Sequence, residues 1–97
     1  MAKVVLASAL ARWLPPTVAG DGGEVVLAVS GGTIIEVLEH LFAQHPVLRG
    51  YILDERGTLR RHVALFVDGT AVHHNSDLRQ ALGEQSDVHV MQALSGG

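Results

Sequence analysis

Few side chains in this protein could do chemistry by themselves. There are six histidines, ten carboxylates and no cysteine, which excludes disulfides, thiolate metal sites and a cysteine nucleophile. His73 and His74 are adjacent, and on a strand adjacent side chains point to opposite faces, so joint chelation is awkward. No histidine pair has the i, i+4 helical spacing with a supporting carboxylate that a zinc site uses. Surface histidines without a metal are the expectation. Ser30-Gly31-Gly32-Thr33 precedes a helical pattern and has the look of a phosphate cradle, because helix N-terminal amides favour anions. It has neither the spacing nor the lysine of a P-loop, so a strand-to-helix turn is expected there instead. His62 or His74 can be combined on paper with Asp77 and Ser76 as a nucleophilic triad. Nothing in the spacing supports it, and a domain of this size offers little cleft. The chain is not expected to be an enzyme.

The remaining candidate is the stretch from Val88 to Gly97. It reads as an alternating strand, Val88-His89-Val90-Met91-Gln92, running into the thin segment Ala93-Leu94-Ser95-Gly96-Gly97. Composition makes the glycine pair weak evidence taken alone: 11 glycines in 97 residues put two at the end of roughly one chain in eighty. Two terminal glycines bury nothing and read as a frayed end, unless the rest of the chain builds something that needs such a thin arm.

The elements that must carry this arm can be read in order. At 97 residues and 47% apolar content the chain is expected to form one domain, residues 1–97, with a flexible tail at 94–97. Val4 to Ser8 reads as a strand, followed by an irregular turn stopped by Pro15-Pro16. Asp21-Gly22-Gly23 is a turn, and Glu24 to Val29 a second strand. Thr33-Ile34-Ile35-Glu36 is a capping box in which Thr33 accepts from the Glu36 amide and Glu36 reaches back to the Thr33 amide. Ile34, Val37, Leu38, Leu41 and Phe42 then share one helical face, predicting a helix over 34–44 that ends before Pro46. Leu48, Tyr51, Ile52 and Leu53 are expected to cover an edge of the core. Val63 to Val67 is a strand, Asp68-Gly69 a type I′ hairpin loop, and Thr70 to Val72 its return. Asn75 or Ser76 would cap a single helical turn bearing Leu78 and Leu82. The order β-β-α-β-β-(short helix)-β, with one single-faced helix, predicts an α+β fold. Its mixed sheet would have four to five strands, with the helix across one face: a β-grasp.

Here the residues carry a resemblance. The β-grasp order, the Gly-Gly-Thr-x-x-Glu helix opening, the Phe66-Val67-Asp68-Gly69 hairpin and the final Gly96-Gly97 resemble the ubiquitin-like sulfur-carrier family that includes the MoaD and ThiS proteins. The run from Leu59 to Gly69 is closer to the longer, CysO-like branch. Ala93-Leu94-Ser95 departs from the Pro-x-Val-Ala run that is frequent in other members.

The resemblance implies that a ubiquitin-activating-type enzyme adenylates the Gly97 carboxylate with ATP and Mg²⁺, neither being held by this chain; Ser95 and Gly96 would give that carboxylate the clearance to enter the enzyme's narrow site. A sulfur donor would then convert the adenylate to a thiocarboxylate, and a sulfur-accepting client enzyme would take the sulfur. The same resemblance leaves open a small subunit of molybdopterin synthase or a modifier conjugated to protein lysines through Gly97. Alternation turns Val88 and Val90 toward the helix and His89 and Met91 away from it. Met91 with Phe66 is therefore expected to form an apolar docking patch, with Leu94 anchoring the tail, against simple core packing of Phe66 and Met91. A net charge of −3 argues against nucleic acid. No stretch is suited to span a bilayer and no signal-peptide pattern is present, so a cytoplasmic location is expected.

Overall fold

Short β-branched runs bounded by turn residues fold into five strands: β1 (Ala2–Leu6), β2 (Val25–Val29), β3 (Val63–Val67), β4 (Thr70–Val72) and β5 (Asp87–Gln92). The computed structural model describes residues 1–15, 23–72 and 77–92. The strands make one mixed sheet in the order β2-β1-β5-β3-β4. β1 and β2 are antiparallel, with Ala2 opposite Val29 and Leu6 opposite Val25. β5 runs parallel to β1 and antiparallel to β3, so it lies at the centre.

Among the described residues three helices accompany the sheet: α1 (Ser8–Ala11), α2 (Ile34–Gln44) and α3 (Arg49–Ile52), the last preceded by a 3-10 turn over Pro46–Leu48. A parallel pair such as β1 and β5 requires a crossover, and α2 lies within it. Its Ile34, Val37, Leu38 and Leu41 are fully buried against Val4, Leu6, Leu65, Val88 and Val90 in one core. This is the β-grasp fold.

The N-terminus of α2 is built as a capping box with one difference from expectation. Thr33 Oγ1 accepts from the Glu36 amide at 3.2 Å. Glu36 Oε1 accepts from the Gly32 amide at 2.8 Å, where the amide of Thr33 was expected. A Cβ at Gly32 would stand 3.4 Å from Oε1, an ordinary contact, so this bond does not depend on glycine. In the β3–β4 hairpin both loop residues have positive φ (Asp68 51°, Gly69 86°), as a type I′ turn requires. Asp68 also clamps the start of β5, exchanging two 2.9 Å hydrogen bonds with Asp87.

Three local expectations are corrected. The segment after β1 holds a helical turn, because the amides of Leu10 and Ala11 bond back to Ala7 and both side chains are buried. Pro15 follows that turn and does not interrupt it. The segment around Leu78 is a turn, with no helix among residues 77–83: the carbonyls of Leu78 and Gln80 accept from the amides of Ile35 and Ile34. Its expected caps, Asn75 and Ser76, lie outside the described residues, as do Asp21 and Gly22 of the first turn. Finally, residues 48–59 do more than cover an edge. Leu48, Ile52, Leu53 and Leu59 are core residues, and Leu53 pairs with Leu59 across a tight turn.

Candidate functional site

β5 is the element that would deliver a C-terminal arm. It is paired on both sides, Leu6 with Val90 across the parallel seam and Val63 with Gln92 across the antiparallel one. Strand alternation splits it cleanly: Val88 and Val90 are fully buried, His89 is half-buried and Met91 is 42% exposed. The continuation carrying Leu94, Ser95, Gly96 and Gly97 lies outside the described residues.

On the face away from α2 the register places Met91 opposite Ala64 and His89 opposite Phe66. Phe66 and Met91 are thus diagonal neighbours on that face. Phe66 is half-buried, and neither residue belongs to the core under the helix. Ala71 on β4 lies beside Phe66, and Val26 on β2 is 55% exposed beyond the nearly buried Val5. The open face of the sheet is therefore a mostly apolar surface centred on the strand that leads to the tail.

The other candidate sites are occupied by structural work. At the start of α2 the amides of Ile34 and Ile35 bond to Gln80 and Leu78, and those of Glu36 and Gly32 bond within the capping box. With these donors used, no cradle for a phosphate remains there. Gly31 has φ +150°, and a Cβ on it would lie 2.8 Å from both Val37 Cγ2 and the Val37 amide. The glycine is there for close packing. Of the paper triad, Ser76 and His74 lie outside the described residues together with His73. Asp77 is held by Arg79 in a two-pronged bond at 3.1 Å. The Arg79 side chain is the main cause that lowers the Asp77 carboxyl, and Asp77 in turn raises the guanidinium. His40 Nδ1 lies 2.6 Å from the Ser30 carbonyl. Among the described residues no three His, Asp or Glu side chains gather around a possible metal position.

A stacked aromatic pair is one feature that no spacing in the sequence pointed to. Trp13 and Tyr51 stack with ring centroids 4.8 Å apart, and the Arg12 guanidinium lies 5.0 Å from the Trp13 ring centre. In the segment that follows α3, an open pocket of about 450 Å³ is lined by Asp54 and Leu59 together with Arg56, Thr58, Arg60, Arg61 and His62. Its frame is a tight turn in which Asp54 Oδ1 accepts from the amides of Arg56 (2.8 Å) and Thr58 (3.0 Å). The Thr58 bond is the main cause that holds the Asp54 carboxyl below its ordinary range, helped by the Arg56 amide and by the charges of Arg56 and Arg60. The density of arginine between 49 and 61 was the available signal in the sequence.

The sequence matches the family described as ThiS over residues 17–97. The chain belongs to the ThiS family. The match includes the segment outside the described residues that ends in Gly96-Gly97. No curated protein sequence matches the chain significantly. Among solved structures, the ThiS-family chain is similar to SAMP1 from Haloferax volcanii, at 25% identity and a TM-score of 0.68, covering 99% of this chain and 98% of that one. It is also similar to CysO from Mycobacterium tuberculosis (22% identity, TM-score 0.69, 94% and 99% covered). A chain of the BexX/CysO complex from Amycolatopsis orientalis shares the fold as well (19% identity, TM-score 0.68, 97% and 99% covered). No helix among the described residues is long and apolar enough to cross a membrane.

Proposed function

We propose that the protein is a sulfur carrier whose reacting group is the carboxylate of Gly97. The observation that carries this reading is the ThiS-family match running through Gly96-Gly97. The chemistry is that of an activated acyl group. A partner enzyme uses ATP and Mg²⁺: the Gly97 carboxylate attacks the α-phosphorus, pyrophosphate leaves, and an acyl adenylate forms. Sulfide sulfur from a donor then attacks the acyl carbon and AMP leaves, so one oxygen is replaced by sulfur. A client enzyme takes that sulfur. Beyond the Gly97 carboxylate, the catalytic groups of both steps are the partner's. This chain contributes a carbonyl free of side-chain hindrance and a surface to hold it in place, with Met91 and Phe66 docking the activating enzyme and Leu94 gripping its channel.

A second reading is favoured by a specific likeness, the 25% identity to SAMP1 of H. volcanii, a protein also described as small archaeal modifier protein 1. In that reading the same adenylate is attacked by a lysine of a target protein and an isopeptide bond results. Intact mass after incubation with ATP, Mg²⁺, an adenylating enzyme and a sulfide source separates the two. A gain of about 16 Da on the free chain is the carrier's product, whereas adducts on other proteins are the modifier's. A chain left at its original mass, with no adduct, overturns both readings.

A further inference from the structure

The basic residues of this protein are unevenly placed. Lys3 and Arg79 are held by Asp87 and Asp77 in ion pairs of 3.6 and 3.1 Å. The other basic residues are Arg12, Arg49, Arg56, Arg60 and Arg61, and among the described residues none of them is in an ion pair. Folding brings most of these to the end of the sheet where β5 stops. Val63 is opposite Gln92, the last described residue of β5, and the Val63 amide bonds to the Arg60 carbonyl. The turn Arg60-Arg61-His62 therefore stands directly beside the exit of the chain from β5. Arg60 Nε donates to the Gly50 carbonyl at 2.7 Å, which fixes its guanidinium and ties the turn to α3. Tyr51, the next residue of α3, carries the stacked Trp13, and Trp13 sits below the Arg12 guanidinium. α1 reaches the same end because it follows β1, which runs parallel to β5, with the Ala7 amide bonded to the Val90 carbonyl. The result is a rim of arginines beside the end of β5, with the half-buried Tyr51 and the exposed Trp13 stacked next to it, on a chain of net charge −3.

We propose that this rim docks an acidic segment of the protein that acts on the tail, with the carboxylates of that segment meeting Arg56, Arg60 and Arg61 and an apolar side chain covering Trp13. Charge complementarity selects the partner class: Arg56, Arg60 and Arg61 outnumber Asp54 and Glu55, the carboxylates that share their depressions, and Asp54 Oδ1 is already engaged by the Arg56 and Thr58 amides. Position selects the role. A segment seated on the rim lies next to the chain leaving β5, so its binding orients that chain for the partner's active site. The proposal rests on the reading of the tail as the reacting arm, but its binding step is measurable without any tail chemistry.

Trp13 is the single tryptophan of the chain and 41% exposed, so its fluorescence reports binding directly. The test is titration with a glutamate-rich peptide ending in leucine, with amide chemical shifts recorded in parallel, at low and at physiological salt. A saturable change in Trp13 emission is expected, with shifts gathered at residues 54–62 and an affinity that falls as salt rises. Arg56 and Arg61 are exposed, so the Arg56→Gln/Arg61→Gln variant keeps the fold, checked by its amide spectrum, and loses about tenfold in affinity. No saturable response up to millimolar peptide, or an equal response in the variant, overturns the proposal. Inorganic phosphate binding as tightly as the peptide also overturns it, by showing a small-anion site. If the peptide binds while no thiocarboxylate or conjugate forms, the reading of the tail falls and the rim's preference for acidic segments stands. If thiocarboxylate forms while the peptide does not bind, the docking proposal alone falls.

Discussion

At the scale of single residues, Gly31 and Asp54 show how sites that look chemical are used structurally. Gly31 sits at φ +150°, where a Cβ would be 2.8 Å from backbone and side-chain atoms of Val37. Neither obstacle is the far end of a flexible chain, so the start of α2 would have to move. Gly31→Ala is expected to cost about 2 kcal/mol, read as a lower urea midpoint at unchanged slope. An unchanged midpoint would refute the packing account and reopen the loop as a ligand site. Asp54 makes a prediction about pH. Its carboxyl is lowered in the folded chain, first by the Thr58 amide and then by Arg56 and Arg60. A lowered group stabilises its turn above its unfolded pKa, and that contribution is lost as pH falls through the folded value. The Arg56 and Thr58 amide resonances should therefore titrate together, with a midpoint below the ordinary aspartate range. Asp54→Asn should remove that titration. A midpoint at or above the ordinary range would contradict the hydrogen bonds described.

At the scale of elements, the sequence was most legible where one local rule and the tertiary packing agree. For α2, the cap, the apolar face and the stop before Pro46 all coincide, and its bounds were readable from residues alone. The type I′ loop at Asp68-Gly69 was legible for the same reason. α1 was hidden because Leu10 and Ala11 earn their helical turn through burial, which the nearby prolines mask in the sequence. Residues 77–83 misled in the opposite way, since their apolar spacing suits a helix while their carbonyls are needed by the amides that open α2. The rim of Arg12, Trp13, Tyr51 and Arg60 could not be read in advance, because stacking and one backbone bond bring together residues far apart in the chain. The cap of α2 is testable by itself. Thr33→Ala should cost about 1 kcal/mol in thermal denaturation and Thr33→Ser little, because only the hydroxyl that accepts from Glu36 matters. Adjacent residues of β5 offer a sharper contrast. Val90→Asp buries an unpaired carboxylate and should cost more than about 3 kcal/mol. Met91→Asp, on the exposed face, should stay within about 0.5 kcal/mol of the parent stability and still abolish adenylation. AMP formation unchanged by both Met91→Asp and Leu94→Asp would remove the docking role assigned to that face.

At the scale of the whole molecule, the fold and the proposed chemistry are separable, and that separation can be measured. Every core residue described lies between Ala2 and Val90, and β5 is held by β1 as far as Val90 and by β3 as far as Gln92. Among the described residues, the sheet, α2 and the open apolar face are complete by Gln92. If the protein's work is to present a carboxylate, removing those two residues should leave the denaturation curve superimposable on that of the parent. It should eliminate the gain of about 16 Da and any conjugate alike, because the shortened arm places a serine carboxylate short of the partner's reaction centre. A β-grasp used only as an interaction module predicts the reverse for function, with the truncated chain replacing the intact one in cells. The informative comparison is stability, product mass and complementation measured on the same truncated chain. Parent-like stability with neither product nor complementation supports the carrier and modifier readings together against a plain binding domain. Full complementation by the truncated chain refutes both.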